Sequence, residues 1–419
     1  MPERSKKMSV YVDAYSAVNN IVKQLSGDGA LQAVDTSSFI AVGKLIMSYT
    51  TDNIYGAITN IWSKTIFSAR KYESYRFKSV EVDEERWGEI ARKISFMPLD
   101  MEASQNWNTD LSPTQLADGG SIDPFKIRKA KPVEFNFSGS VPLQSHLSHF
   151  RDELESALES ESRFMSWWDA KMIEYYNDIT QKDEAEREAT VLNYIAGTYA
   201  MKNDAPTCVV DLVAGYNAHV NGTYTRAQIL STQFEDFLKW AAAEIQMYSK
   251  YMRDRTYIYH ANVTGKELKR HTPDRYRKMI ILSSFLTHAR AEVYSGLFNP
   301  DYLELGSYEE VNYWQNPVVP SQINVKPSYL DVSDGSVKTA DEAIVFDYLV
   351  GIIFDEQGLV ISNKRENSAS IVNPAGNYTN DYIHWLKRYN NDFTEGHIVF
   401  YLGAGGVGRE TKAAKKRNS

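Results

Sequence analysis

The sequence is poor in cysteine: Cys208 is the only one in 419 residues. That excludes an intramolecular disulfide and a cysteine-rich zinc site. It fits a reducing compartment, where stability has to come from packing. Long apolar runs are also missing, so no transmembrane helix is expected. The first 18 residues carry charges but lack the apolar segment of a secretory signal. There is no basic excess either. Lys and Arg number 46 against 54 Asp and Glu, a net charge of −8, which argues against a dedicated nucleic-acid-binding domain. The patterns G-x-S-x-G, H-E-x-x-H and the phosphate-binding P-loop do not occur.

What is present is material for a large core: 43% of residues are hydrophobic and 12% aromatic, so wholesale disorder is excluded. The length fits two or three domains, or one elaborated domain. The charge is unevenly spread. Residues 1–7 carry +2 and residues 409–419 carry +4, leaving −14 on the body between them. The basic tail reads either as a loose phosphate contact or as a solubilising end.

Along the chain, Asp35–Ser38 offers caps for a helix beginning near Phe39. Alternation of Tyr75 and Phe77 with Arg76 and Lys78, then of Val80 and Val82 with Glu81 and Asp83, predicts a strand. Val133, Phe135 and Phe137 alternate with Glu134, Asn136 and Ser138 and predict a second. Residues 97–124 between them are rich in Ser, Asn, Asp, Gly and Pro and read as a loop. The simplest arrangement is a long two-stranded ribbon with an irregular tip.

From Leu143 to Ala196 there is neither Gly nor Pro. Apolar residues Met165, Trp168, Met172, Tyr176 and Ile179 recur at helical spacing, as do Ala185, Ala189, Leu192, Ile195 and Tyr199. This predicts one unusually long helix, interrupted at most near Ser160 or Lys182 and ending at Gly197. A second helix is predicted over 225–253. Lys278–Leu282 reads as a buried strand and Ala289–Phe298 as a short helix. Strands then dominate: Ile344–Phe354, Leu359–Ile361, Tyr378–Leu386 and His397–Leu402. The fold class is α+β.

Candidate chemistry is sparse. Gly403–Gly408 matches G-x-G-x-x-G after a strand, but only 11 residues follow it, too few for the helix and second strand that a dinucleotide site requires. A glycine hinge is the plainer reading, and no cofactor is implied. His146 and His149 would share a face if helical, yet no third metal ligand is apparent. Cys208 lies in an apolar context and reads as a small buried residue. Two charge clusters are more informative. Glu81, Asp83, Glu84 and Glu85, with Arg86 beside them, form an acidic patch on the first arm of the ribbon. Lys126, Arg128, Lys129 and Lys131 form a basic patch on the second. A two-stranded ribbon is marginal alone in water. Opposite patches at its ends would suit a neighbouring copy, setting register more than affinity; they would also suit each other across the ribbon.

Three stretches carry a resemblance. Thr65–Arg70 leads into Trp87–Lys93; Lys278–Leu282 is followed by Ala289–Phe298 and Asn299–Leu303; Asn373–Tyr378 is followed by Tyr382–Trp385 and His397–Tyr401. In order and type these resemble the major capsid proteins of tailed phages with the Hong Kong 97-type fold, most of all those of small short-tailed phages (podoviruses). The resemblance implies an N-terminal arm and first helix over 1–62, an extended E-loop over 63–145 and a peripheral domain over 146–225 and 341–408. It further implies an axial domain over 226–340 and a basic tail over 409–419. It implies a non-enzymatic shell protein whose copies form pentamers and hexamers of an icosahedral head around double-stranded DNA. The partners implied are copies of itself, a portal and non-specifically touched DNA, with no membrane. Because fewer than 40 residues precede the fold, a separate scaffolding protein is expected. Assembly in the host cytoplasm and residence in the virion follow. Two alternatives stand beside this: an encapsulin-like compartment enclosing a cargo enzyme, and a nicotinamide-dependent enzyme using residues 403–408.

Overall fold

The computed structural model describes residues 14–26, 32–34, 36–48, 72–83, 91–99, 101, 123–137, 140–288 and 308–405. The chain divides into two compact units, and several elements contribute residues to both. One unit comprises Met1–Trp87, Ser140–Arg187 and Ile361–Tyr389; the other comprises Gly88–Gly139, Glu188–Val360 and Asn390–Ser419.

The first unit is built on a helical cluster. Helices Ala14–Ser26 and Thr36–Met47 bury Val18, Ile21, Val22, Phe39, Val42 and Ile46 against Leu154 and Phe164. Phe39 and Phe164 meet edge to face at 6.1 Å, a favoured geometry for aromatic pairs. The Asn19 side chain pins the connection between the helices. Its amide donates to the Ala33 carbonyl at 3.0 Å, and its oxygen accepts from the Ala33 N–H at 2.6 Å. Beside the cluster lies a four-stranded sheet in the order Glu81–Asp83, Leu359–Asn373, Tyr378–Asn391, Val141–Phe150. Glu81 runs parallel to Ile361, and Tyr378 antiparallel to Phe150.

The second unit is a five-stranded sheet in the order Val209–Asp211, His397–Tyr401, Leu349–Asp355, Arg277–Leu282, Tyr308–Val311. Leu349–Asp355 is buried along its whole length, which is why it reads as a continuous apolar run rather than an alternating one. Gly351 sits at a bulge where a side chain would press on the Ile280 carbonyl. Leu212, Val213, Phe237, Leu238, Ala241 and Ile245, from helices Leu212–Val220 and Phe234–Tyr251, pack on Met279, Ile281, Ile353, Ile398 and Phe400. The end of the long helix joins the same unit, where Tyr194 stacks on Phe393 at 4.9 Å and Tyr199 on Phe346 at 4.3 Å.

The α+β class is as expected, with ribbon, long helix and terminal strands in the order that the Hong Kong 97-type resemblance implies. Four local readings change. Residues 75–83 are not a ribbon arm: Phe77 is left-handed (φ 58°), a short 3-10 turn follows at Lys78–Val80, and both Arg76 and Phe77 are buried. The first arm is instead Ala91–Phe96, antiparallel to Pro132–Phe137. Residues 143–150 are strand, not helix, so the long helix is Glu161–Ala200 after a short one at Arg151–Ala157. Gly197 does not end it; the Phe393 ring packs where a side chain would be. The helix predicted over 225–253 is split, because Thr225 caps a single turn before Phe234–Tyr251 begins. The Ala289–Phe298 helix and the Asn299–Leu303 turn lie outside the described residues.

Candidate assembly site

Pleating gives the ribbon two faces. Lys93 and Ser95 point one way, level with Phe135 and buried Val133. Arg92, Ile94 and Phe96 point the other way, level with Asn136, Glu134 and Pro132, and are exposed. The first face is anchored. Lys93 Nζ bridges the carboxylates of Asp392 and Glu395. Arg270 reaches Glu395 at 3.4 Å, Ser95 Oγ at 3.1 Å and the Thr394 carbonyl at 3.1 Å. The acceptor loop is itself ordered: Asp392 Oδ1 accepts from the Thr394 N–H at 2.9 Å and from its hydroxyl at 2.6 Å. The Tyr194 hydroxyl donates to the Asp392 carbonyl at 3.2 Å.

Burial sets the ionisation of this clasp. It raises the Glu395 carboxyl above its ordinary range, opposed by the charges of Lys93 and Arg270. Burial also lowers His397 to about 4. Its Nδ1 lies 2.8 Å from the Glu395 carbonyl; since a carbonyl only accepts, that nitrogen carries the proton of a neutral ring.

The segments beyond the paired strands also expose large apolar side chains. Leu99 and Met101 are exposed on the outgoing side, and Phe125 and Ile127 on the returning side, the last three at 97%, 85% and 89%. Lys126, Arg128, Lys129 and Lys131 alternate with or flank them and are all exposed. The Lys131 carbonyl accepts from the Met97 N–H at 2.9 Å, extending the ladder. The basic residues therefore lie on the ribbon, mixed with large apolar side chains.

Of the acidic residues, Glu81 and Asp83 are described. Glu81 belongs to the other unit, where Arg187 at 2.7 Å, Asn363 at 2.9 Å and Lys387 at 3.4 Å surround it. Burial raises its carboxyl, but the Asn363 amide, Lys387 and Arg187 together pull it below the usual range. Asp83 ends the same short strand; Glu84, Glu85 and Arg86 lie outside the described residues. Lys93, Arg270, Asp392 and Glu395 were not legible as a site in the sequence. The only local signal was Asp392-x-Thr394, a turn pattern.

The other candidates have structural roles. Strand geometry sends His146 and His149 to different environments: His146 stacks on Tyr382 at 5.5 Å, while buried His149 faces Asp381 at 3.1 Å. Among the described residues no group of three possible metal ligands gathers. Cys208 is fully buried, and burial pushes its thiol up to about 12. The Gly403 N–H donates to Asp211 Oδ1 at 2.9 Å, and that same carboxylate caps helix Leu212–Val220. A side chain at 403 would collide with it, and Gly405 (φ 66°) leaves no room beside Tyr224 and Thr225. Close packing accounts for these two glycines without a ligand. No described helix is long and apolar enough to cross a membrane.

The chain is an α+β subunit with an anchored ribbon, and its described candidate histidines and glycines are held in packing contacts. The family model for the Phi29-like phage major capsid protein matches residues 18–401, and the chain belongs to that family. It is a phage major capsid protein, a component of the virion. No curated protein matches the sequence. Among solved structures, the capsid of Staphylococcus phage Andhra is similar at TM-score 0.48 and 9% identity, over 78% of this chain and 84% of that one. The capsid asymmetric unit of cyanophage Pam1 is similar at TM-score 0.41 and 11% identity, over 81% and 98%. The capsid of cyanophage P-SCSP1u is similar at TM-score 0.40 and 11% identity, over 81% and 90%.

Proposed function

We propose that copies of this chain close into pentamers and hexamers and build an icosahedral head around double-stranded DNA, with the ribbon laid across a neighbouring subunit. The observation that carries this is the exposed face of the ribbon. Fully burying a side chain the size of Phe or Met contributes about 1.5–3 kcal/mol. Phe96, Met101, Phe125 and Ile127 together therefore hold several kcal/mol that an isolated subunit forgoes. Large exposed apolar side chains set among charges mark an interaction site, and the basic residues interleaved with these fix where it lands. Assembly in the host cytoplasm with a separate scaffolding protein and a portal completes the reading, and the chain itself does no chemistry. Coexpression with scaffold, followed by electron microscopy and light scattering, tests it: closed shells of uniform size are expected. Small soluble oligomers under those conditions would overturn it.

A further inference from the structure

The basic charge of this acidic chain is not confined to its ends. Residues 250–278 hold nine Lys and Arg against three Asp and Glu, a formal +6 within a chain of −8. Five of the nine, Lys250, Arg253, Arg255, Lys266 and Arg275, are exposed on the second unit, while Arg270 and Lys278 are paired with Glu395 and Glu356 from outside the segment. The Thr272 N–H donates to the Met252 carbonyl at 2.7 Å, and Thr256 and Arg270 exchange two backbone bonds at 2.9 Å. Arg277 donates to the Ser249 carbonyl at 2.8 Å. These bonds tie the end of helix Phe234–Tyr251 to the loop after it and to the 3-10 turn Asp274–Tyr276.

Lys250, Arg253, Arg255 and Arg275 are exposed there, with Tyr251, Tyr257 and Tyr276 among them. Arg275 lies over the Tyr276 ring at 4.3 Å and Lys269 over Tyr257 at 5.0 Å, contacts that hold the cationic heads at the surface. Of the three acids, Asp274 is taken by Arg277 at 2.6 Å and Arg253 at 3.6 Å. Glu267 accepts from the Gly265 N–H at 3.0 Å. Asp254 and Glu267, both exposed, have no side-chain ion pair among the described residues, and five exposed cations outnumber the three acids. A helix C-terminus favours nearby cations, which accounts for Lys250 and Arg253. It does not account for Arg255 and Arg275, which lie beyond the helix.

We propose that this surface binds the phosphate backbone of double-stranded nucleic acid without reading its sequence. The proposal rests on the capsid reading, which places DNA inside the shell, and it names the surface that touches it. Guanidinium groups match phosphate geometry, and a net excess of exposed cations releases counterions on binding. The rival polyanion is the acidic segment 151–190 of a second copy. Five of its twelve carboxylates are already engaged within their own chain, Glu153 by Lys171, Glu159 by Arg163, Asp183 by Lys387, Glu184 by Arg76 and Glu186 by Lys182. Nucleic acid, which presents a phosphate at every step along its backbone, is the better fit to a surface of exposed guanidinium groups.

The test uses the unassembled full-length chain, a fluorescent duplex in two unrelated sequences, and anisotropy across a KCl series. The triple variant Arg253→Ala, Arg255→Ala, Arg275→Ala should bind both duplexes more weakly and to the same degree. Each lost phosphate contact removes about 0.9 from the slope of log K against log salt, so the slope should fall by roughly 2.7. The matching Arg→Lys triple should keep most of that slope, and far-UV circular dichroism should be unchanged in both. An Ala triple with wild-type affinity and slope would overturn the proposal. So would a triple that binds DNA normally but no longer assembles, which would make the patch an inter-subunit contact. A wild-type chain that fails to form shells with scaffold would fault the capsid reading instead, whatever the duplex result.

Discussion

Replacing Lys93 with Met probes the clasp at the root of the ribbon. The substitution keeps the side chain's length and removes its charge. The Asp392 and Glu395 side chains are then left 4% and 9% exposed, with Arg270 at 3.4 Å on Glu395 alone. Removing one partner of a buried ion pair typically costs about 3–5 kcal/mol. The low end applies here, because Lys93 is partly reached by water and Arg270 remains, so the loss at neutral pH should be ~3 kcal/mol. The pH dependence has a definite sign. Glu395 titrates above the ordinary carboxylate range through burial, opposed by Lys93 and Arg270. The folded state thus holds that proton more tightly than the unfolded chain does. The stability this gives is complete below the ordinary range and is lost as pH rises through the elevated titration. Without Lys93 the elevation grows. The penalty of Lys93→Met should therefore be largest at neutral pH and shrink on acidification, and Glu395→Gln in the same chain should restore much of it. Urea unfolding of the unassembled chain at several pH values measures this. A penalty under about 0.5 kcal/mol at pH 7, the level of an indifferent surface substitution, or one that does not change with pH, would refute the reasoning.

The other expectations are independent of that one. Glu81→Gln should cost about 1–3 kcal/mol at neutral pH, since it unbalances Arg187 and Lys387 around a half-buried site. Because Glu81 titrates below its usual range, that contribution should fade as pH falls through the lowered titration, and chemical denaturation at neutral and acid pH would show it. Gly403→Ala should cost roughly 1–3 kcal/mol in thermal or urea unfolding, as the methyl group displaces Asp211 from its helix cap. Reversing Lys126, Arg128 and Lys129 to Glu should impair shell assembly by light scattering while leaving the circular dichroism of the subunit unchanged. Normal assembly would make those residues solvated surface.

The elements legible in the sequence were those whose pattern matched their burial. His397–Tyr401 and Arg277–Leu282 are buried on both faces and bounded by turns. Most of Glu161–Ala200 repeats apolar residues at helical spacing. Where pattern and structure parted, tertiary contacts decided. Residues 75–82 alternate like a strand, yet the left-handed turn at Phe77 lets both Arg76 and Phe77 be buried, the former on Glu184 at 3.3 Å. Residues 143–150 lack the Gly and Pro that would have flagged a break, and only pairing with Tyr378–Lys387 makes them strand. The basic half of the proposed contact surface was legible because Lys126–Lys131 is a local run. The clasp was not, because it joins Lys93, Arg270 and Asp392–Glu395 across some 300 positions. The glycine run was legible as a pattern, and its cause, a carboxylate from Asp211, became visible only in three dimensions.

The most direct test of the account is a cryo-electron microscopy reconstruction of the assembled head, at a resolution that traces side chains. The account predicts that strands Ala91–Phe96 and Pro132–Phe137 lie across an adjacent subunit, with Phe125 and Ile127 buried between chains and Lys93 still on Asp392 and Glu395 of its own chain. A ribbon that stays in solvent, with Phe125 and Ile127 uncovered in the closed shell, would contradict it.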